Sequence, residues 1–256
     1  MTEHVKTEIS DGVLTLTLQR PEKKNALTGA MYNALSEALN QAKVDPSVRV
    51  ILFQGDGDSF TAGNDLADFA SQARGESAVD SPAHHFIQTI SEVDKPIIAA
   101  VQGNAVGVGT TMLLHCDLVY LAENARLMTP FVNLALVPEA ASSWLLPLRI
   151  GHVRAYAMFA LGEPMEASAA VACGLGNAVV PQAELRKKAH DAAITLTKRP
   201  AGALKSTKKL MRDHERIEAQ ISEESQLFKQ RLMTPEAREA FAAFAERRPP
   251  DFSKVA

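Results

Sequence analysis

The sequence predicts an α/β fold in which buried strands alternate with helices. Apolar runs such as IIAAV from Ile97 are typical of strands covered on both faces of a parallel sheet. Between two such strands, Met31, Leu35 and Leu39 repeat every four positions, as on one face of a helix. The 256 residues, 46% of them hydrophobic, suffice for one sizeable core with an appended helical region. We expect the core over residues 1–197 and the helical region over residues 198–256.

The elements are predicted in chain order from periodicity and turn residues. Val13–Leu18 alternates leucine with threonine, which is the period of a half-buried strand. Thr28 is the expected N-cap of the helix that carries Met31. Further strands are expected at residues 48–53, 97–101, 118–122 and 126–130. The last third is helical by pattern, with Pro200 and Pro235 as breaks.

Composition excludes several classes of protein. A net charge of −3 gives no general attraction to nucleic acid or to an anionic membrane. The basic stretch 186–216 lacks interleaved aromatic residues, which favours a solvated face over an RNA-binding site. No apolar run is long enough to span a bilayer, and no secretory signal pattern is present. Cys116 and Cys173 lie in apolar surroundings with no second Cys or His at metal-ligand spacing, so we expect reduced cysteines, no metal site and a cytoplasmic protein.

A glycine-rich turn after the strand at Ile97 offers a candidate anion site. Gly107 and Gly109 bracket Val108 just before an apolar run, so a helix should begin there with its first amides unpaired. The Val108 amide would then lie where the negative charge of an enolate could develop. The alternative is that the glycines only let the helix pack closely on its strand. Dinucleotide and P-loop patterns are absent from the turn.

The segment PEAASS places a carboxylate at the expected start of an apolar helix. Glu139 is flanked by Val137 and Ala140, so it should be partly desolvated, which raises the pKa of a carboxyl toward the range of a general base. The alternative is a charge that only stabilises the helix N-terminus.

Two earlier loops carry residues suited to substrate contact. In the segment RPEKKNALT, Lys24 could meet phosphates, although a basic residue in a loop is usually only solvated. In the segment FTAGNDL from Phe60, small residues allow close backbone approach where a strand meets a loop. The alternative interpretation of this second loop is a tight turn.

Taken together, these segments resemble the enoyl-coenzyme A hydratase/isomerase, or crotonase, superfamily. The resemblance covers nearly the whole chain and rests on the order of RPEKKNALT, FTAGNDL, KPIIAAVQGNAVGVG, CDL, PEAASS and FAAFAERRPPDF. It implies a crotonase-like spiral of ββα units with a C-terminal helical region. It also implies an acyl-CoA thioester substrate, with no cofactor beyond the coenzyme A of that substrate, and assembly as a trimer or hexamer. Apolar residues of the last helices support self-association, namely Leu227, Phe228, Phe241 and Phe244.

The resemblance also implies roles for individual residues. The backbone amides of Asn64 and Val108 would hold the thioester oxygen as an oxyanion hole. Glu139 matches the single catalytic glutamate of the peroxisomal-type Δ3,Δ2-enoyl-CoA isomerases. We expect the substrate to be bound by Lys24, Ala26, Ala62, Asp65, Leu66, Gly107 and Phe131.

The reaction is predicted from two missing carboxylates. Family hydratases carry two glutamates that hold and activate water, and the matching residues here are Thr111 and Phe131. Threonine cannot act as a base near neutral pH and phenylalanine cannot bind water, so the sequence favours isomerisation of a 3-enoyl-CoA to a 2-trans-enoyl-CoA in fatty acid metabolism. The alternatives are hydration of a 2-enoyl-CoA, and a non-catalytic homologue that binds acyl-CoA or RNA.

Overall fold

The structure, a computed structural model, describes residues 2–65 and 81–255. The predicted substrate contact of Leu66 therefore lies outside the described residues. The described strands are β1 Val5–Ser10, β2 Val13–Leu18, β3 Val50–Gly55, β4 Ile97–Val101, β5 Asn104–Val106, β6 Leu118–Ala122, β7 Arg126–Met128, β8 Met165–Glu166 and β9 Ala178–Val180.

The predicted α/β fold is confirmed. The main sheet has the strand order β1-β2-β3-β4-β6-β9, and its pairs are parallel except for β1 with β2. A smaller sheet has the order β5-β7-β8. Parallel neighbouring strands must be joined by crossover connections. The loops that follow these strands therefore lie together at one end of the sheet.

Helices fill the connections. The described α-helices are α1 Gly29–Val44, α2 Pro82–Ser91, α3 Val108–Thr111, α4 Ser142–Ile150, α5 His152–Tyr156, α6 Ala167–Ala172, α7 Gln182–Thr197, α8 Ala201–Leu210, α9 His214–Leu232 and α10 Pro235–Ala245. Thr28 caps α1 as predicted, since its hydroxyl accepts a hydrogen bond from the Met31 N–H at 3.3 Å. The helix predicted at Val108 is also present, and a 3₁₀ turn over Met112–His115 continues it.

The core lies on both faces of the main sheet. On one face, Leu185, Ala189 and Ala193 of α7 pack with Leu52 and Ile98. The opposite face is covered by the larger apolar cluster, to which α1 and α2 contribute. Successive side chains of a strand point to opposite faces, and all five residues of β4 are consequently 0% exposed.

The C-terminal helices pack against the sheet core. Helix α9 contacts α2 and α4, and α10 contacts the 3₁₀ turn at Val132–Leu134. Of the four apolar residues named for self-association, Phe241 is buried and Phe228 is partly buried against the core, whereas Leu227 and Phe244 are 45% and 59% exposed. In the part of the chain that is described, no helix combines the length and apolar character needed to cross a membrane.

Two local expectations require correction. Helix α4 begins at Ser142, so Glu139 precedes the helix and lies in a turn. The third strand covers Val50–Gly55 rather than residues 48–53, because the ladder to β2 pairs Val13 with Val50. Strand β1 was not predicted, since its side chains after Val5 are exposed and only its pairing with β2 makes it a strand.

Candidate active site

The loops that follow β3 and β4 run side by side. The Thr61 N–H donates to the Asn104 carbonyl at 3.1 Å, and the Val106 N–H donates to the Thr61 carbonyl at 3.0 Å. These bonds hold the segment before Asn64 against the segment before Val108. The structure therefore brings together the two loops that the sequence presented separately.

Glycine is required where these loops touch. A Cβ on Gly63 would lie 2.7 Å from the Val106 carbonyl oxygen, and the residue has φ +84°, which favours glycine. A Cβ on Gly109 would lie 2.4 Å from Thr61 Cγ2. The close-packing interpretation of these glycines is therefore supported, and it is compatible with the predicted amide site.

The two proposed oxyanion donors are available for a ligand. Neither the Asn64 N–H nor the Val108 N–H donates a backbone hydrogen bond to another described residue. Val108 is the first residue of α3, where an amide has no partner inside the helix. The Asn64 side chain is held separately, because the Tyr32 hydroxyl donates to its Oδ1. Both backbone donors thus remain for an oxygen that carries negative charge.

A cavity of about 770 Å³ opens beside the Asn64 loop. Five predicted substrate-binding residues line it, together with Asn64, and these are Ala26, Ala62, Asp65, Gly107 and Phe131. Lys24 is exposed and does not line this cavity, although its neighbour Lys23 does. Val108 and Glu139 also lie outside the lining, although Val108 directly follows the lining residue Gly107. The cavity is also lined by Arg20 and Arg248, which the sequence analysis did not select, and by Phe228 and Phe244, which it assigned to self-association.

The segment RPEKKNALT owes its shape to Asn25, a residue that sequence reasoning missed. Asn25 is fully buried at φ +55°, and its amide nitrogen donates to the carbonyls of Asp56 at 2.8 Å and Ser59 at 2.9 Å. Its Oδ1 accepts from the Arg20 N–H at 2.8 Å, and the Arg20 guanidinium forms an ion pair with Asp65 at 2.6 Å. The available signal was an asparagine in a loop, since asparagine tolerates positive φ.

Glu139 lies in a turn with unusual backbone geometry. Ala140 and Ala141 follow it at φ +63° and +56°, in the left-handed region, before α4 begins at Ser142. Glu139 is 9% exposed, and its Oε1 has no hydrogen-bond partner among the described residues. Burial, and then the charge of Glu224, raise the pKa of Glu139 to about 8. A carboxyl with a pKa near neutral can both take and return a proton.

Two distant residues hold this turn. Glu224 of α9 accepts from the Ala141 N–H at 2.6 Å, from the Ser143 N–H at 2.8 Å and from the Ser143 hydroxyl. Burial raises the pKa of Glu224 to about 7, against the opposing effect of those hydrogen bonds. His115 contacts the Ala140 carbonyl through Nε2 at 2.9 Å. Sequence reasoning selected neither Glu224 nor His115.

His115 is a neutral donor to the turn. It is fully buried, and burial followed by the charge of Arg212 lowers its pKa to about 3. Arg212 Nη2 donates to His115 Nδ1 at 2.8 Å, so Nε2 carries the ring proton and donates it to the Ala140 carbonyl.

The two positions that hold glutamates in family hydratases carry uncharged residues here, Thr111 and Phe131. Thr111 is fully buried, and its hydroxyl has no hydrogen-bond partner among the described residues. Phe131 is 6% exposed, with its ring centroid 6.2 Å from that of Phe159. Over residues 2–65 and 81–255 there is also no group of three or more His, Cys, Asp or Glu residues placed to hold a metal ion.

Comparison with known proteins adds independent findings. The sequence profile described as "Enoyl-CoA hydratase/isomerase" matches residues 8–255. Enoyl-CoA delta isomerase 2 of Rattus norvegicus is 34% identical over 244 residues, which are 93% of this chain but only 62% of that relative's length. A probable enoyl-CoA hydratase of Rhodobacter capsulatus is 32% identical over 252 residues, or 97% of both chains. A crystal structure of an enoyl-CoA hydratase/isomerase from Pseudoalteromonas atlantica T6c has a TM-score of 0.92 at 38% identity, covering 98% of this chain and 100% of that one.

Proposed function

The chain belongs to the enoyl-CoA hydratase/isomerase family, and from this membership we propose that it converts a 3-enoyl-CoA into a 2-trans-enoyl-CoA. The observation that carries the proposal is the carboxyl of Glu139, which is buried and has a pKa of about 8. No carboxylate stands at position 111 or 131, where family hydratases hold water. Both oxygens of the other nearby carboxylate, Glu224, accept hydrogen bonds and are not available to a substrate. Isomerisation is the family reaction that needs only one such group.

In this mechanism Glu139 removes a proton from C2 of the bound 3-enoyl thioester. The C2–H electron pair moves into the conjugated system, and negative charge develops on the thioester oxygen as a dienolate. The amides of Asn64 and Val108 donate to that oxygen, and one such donor is commonly worth about 3 kcal/mol. Glu139 then returns the same proton to C4, which leaves the double bond between C2 and C3 and regenerates the carboxylate.

The cavity supports a coenzyme A thioester of fatty acid metabolism as the substrate. Arg20 and Lys23 at the cavity favour phosphate groups, and Ala26 and Ala62 leave room for an extended chain. Phe131 would place an aromatic wall against the acyl group at the position where a hydratase holds water.

Hydration of a 2-enoyl-CoA is the second candidate activity. It has support from the Rhodobacter relative, which is named a probable hydratase at 32% identity. Thr111 and Phe131 argue against it, because neither can activate water.

A parallel assay of 3-enoyl and 2-enoyl thioesters tests the proposal. We expect isomerisation to exceed hydration, and Glu139→Gln to lower isomerisation by about 10² to 10⁴-fold while acyl-CoA binding is retained. Glu123→Gln is the matched control, because this exposed glutamate should leave the rate unchanged. Efficient hydration that persists unchanged in Glu139→Gln would show that the chain is a hydratase with another base.

The proposal includes assembly as a trimer or hexamer in the cytoplasm. Self-association has support from large apolar side chains that are 62% to 81% exposed, and these are Leu148, Val153, Tyr156 and Met211. Light scattering at micromolar concentration tests the assembly, and the mass of a single chain would contradict it.

A further inference from the structure

The backbone conformation of the turn after Glu139 is strained. Ala140 and Ala141 are consecutive non-glycine residues at positive φ. Each such residue costs roughly 1–2 kcal/mol, because its Cβ crowds the following carbonyl. An isolated PEAASS segment would therefore relax, and Glu139 would lose its orientation unless other contacts oppose the strain.

Glu224 opposes that strain from the far side of the turn. Its two oxygens accept from the backbone N–H groups of Ala141 and Ser143, at 2.6 and 2.8 Å. Hydrogen bonds to a charged acceptor are about twice as strong as neutral ones. The Ser143 hydroxyl also donates to the same carboxylate, so three donors converge on it.

The two glutamates of this site differ in their partners. The Glu139 Oε1 has no partner among the described residues, whereas Glu224 has three donors. When only one of the two carboxyls is ionised, the negative charge should therefore reside on Glu224. That charge opposes the ionisation of Glu139. Burial raises the pKa of both carboxyls, and the charge of Glu224 raises that of Glu139 further.

On this basis we propose that Glu224 is a positioning residue for Glu139, which fixes the left-handed turn through its three hydrogen bonds and makes Glu139 a stronger base through its charge. The inference rests on the proposed role of Glu139 as the acid/base group. Glu224 does not touch the substrate in this scheme and acts only through the turn.

Several titratable groups of the described residues surround this pair. His84 of α2 contacts Ser225, the neighbour of Glu224, and Arg216 of α9 lies over the ring of Trp144, the neighbour of Ser143. The charge that acts on Glu139 is that of Glu224, and the charge that acts on Glu224 is that of the exposed Glu223. On the opposite side of the turn His115 is neutral, with a pKa of about 3, and therefore contributes a hydrogen bond rather than a charge above that pH. Arg212 contacts His115 through the other ring nitrogen, Nδ1.

The test is Glu224→Gln, which keeps the size of the side chain but removes its charge and one acceptor. We expect kcat to fall about tenfold with KM within twofold. The acidic limb of the kcat/KM profile should move to lower pH by roughly one unit, because Glu139 would ionise without a charged neighbour. Glu218→Gln replaces an exposed glutamate of the same helix that acts on neither group, and as the matched control it should move neither quantity.

An activity-independent readout separates this inference from the proposed reaction. Infrared spectra are recorded over a range of pH for a protein with Glu139 and for the same protein carrying Glu139→Gln. The difference between the two series gives the signal of the protonated Glu139 carboxyl. We expect the titration midpoint to be lower in the Glu224→Gln background than in the natural one. That shift would support the control of Glu139 by Glu224 even if no 3-enoyl thioester were isomerised, in which case only the proposed function fails.

A second variant covers the case in which Glu224→Gln does not fold. Ser143→Ala removes one donor from Glu224 and keeps both carboxyls, so negative charge on Glu224 becomes less favourable. The Glu139 midpoint should move in the same direction by a smaller amount. An unchanged midpoint in the variant that folds would overturn the proposal and leave Glu224 as a purely structural brace.

Discussion

The oxyanion loops and the Glu139 turn, which we propose act as one site, are built in different ways. The donors at Asn64 and Val108 are backbone groups, held by hydrogen bonds between two adjacent loops and by glycines that allow close contact. The turn of Glu139 is held by the side chains of Glu224 and His115, which are remote in sequence. The first region shows that backbone donors need only the correct loop geometry. The second shows that a buried acid needs partners from elsewhere in the fold.

A large effect on turnover should come from removing a backbone donor. Val108→Pro eliminates the N–H at the first helical position, where proline is tolerated, so the fold should survive. We expect turnover to fall at least about a hundredfold, equivalent to about 3 kcal/mol. Val108→Ile keeps the amide and is the control for side-chain size. Full turnover in a folded Val108→Pro protein would show that this amide is not an oxyanion donor.

A smaller effect should follow from removing the side chain that holds the first region together. Asn25→Ala leaves the carbonyls of Asp56 and Ser59 without their shared donor and places alanine at positive φ. We expect the free energy of unfolding, measured in urea, to fall by about 2–3 kcal/mol. Asn40→Ala replaces an exposed asparagine of α1 and should have little effect. Equal losses in both variants would mean that the loop is held by other contacts.

A third effect should be a pH dependence that originates in the second region. The folded pKa of Glu139, about 8, lies above its ordinary value of 4.5, so the folded protein retains a proton that the unfolded chain releases. The stability that this group contributes is complete below about pH 4.5 and is lost as pH rises through about 8. Glu139→Gln has no proton to lose, so across this window its unfolding free energy should rise relative to that of the natural protein, by up to about 5 kcal/mol.

Denaturant titrations of both proteins at several pH values measure this difference. Below pH 4.5 the difference should be constant, which serves as the internal control. A constant difference throughout would mean that Glu139 is well solvated in the folded state.

The sequence predicted the first region well because its signals are local. Alternating leucines marked β2, the run IIAAV marked β4, and glycines around Val108 marked the start of α3 with the bounds that the structure has. The two loops could be joined into one site only through the resemblance to a family, because no local pattern states which loops meet.

The second region could not be predicted from local pattern. The segment PEAASS suggests a helix that starts near Glu139, but the left-handed turn delays that start to Ser142. The turn depends on Glu224, which lies 83 residues after Ala141. One signal was present, because Glu224 shares a helical face with Ile217 and Ile221, where an apolar residue is expected. A carboxylate on an apolar face predicts a buried partner without identifying it.

The position of Glu224 on α9 also sets an order of events during protein synthesis. The ribosome completes the segments that contain Asn64 and Val108 first, and the PEAASS segment next. The carboxylate that stabilises the turn is added only when α9 is made, and it reaches the turn only when α9 docks beside α4. A partly synthesised chain would therefore carry the proposed oxyanion donors while the proposed acid/base group was still unrestrained. Under the proposed mechanism, docking of this helix would be the step that completes the site.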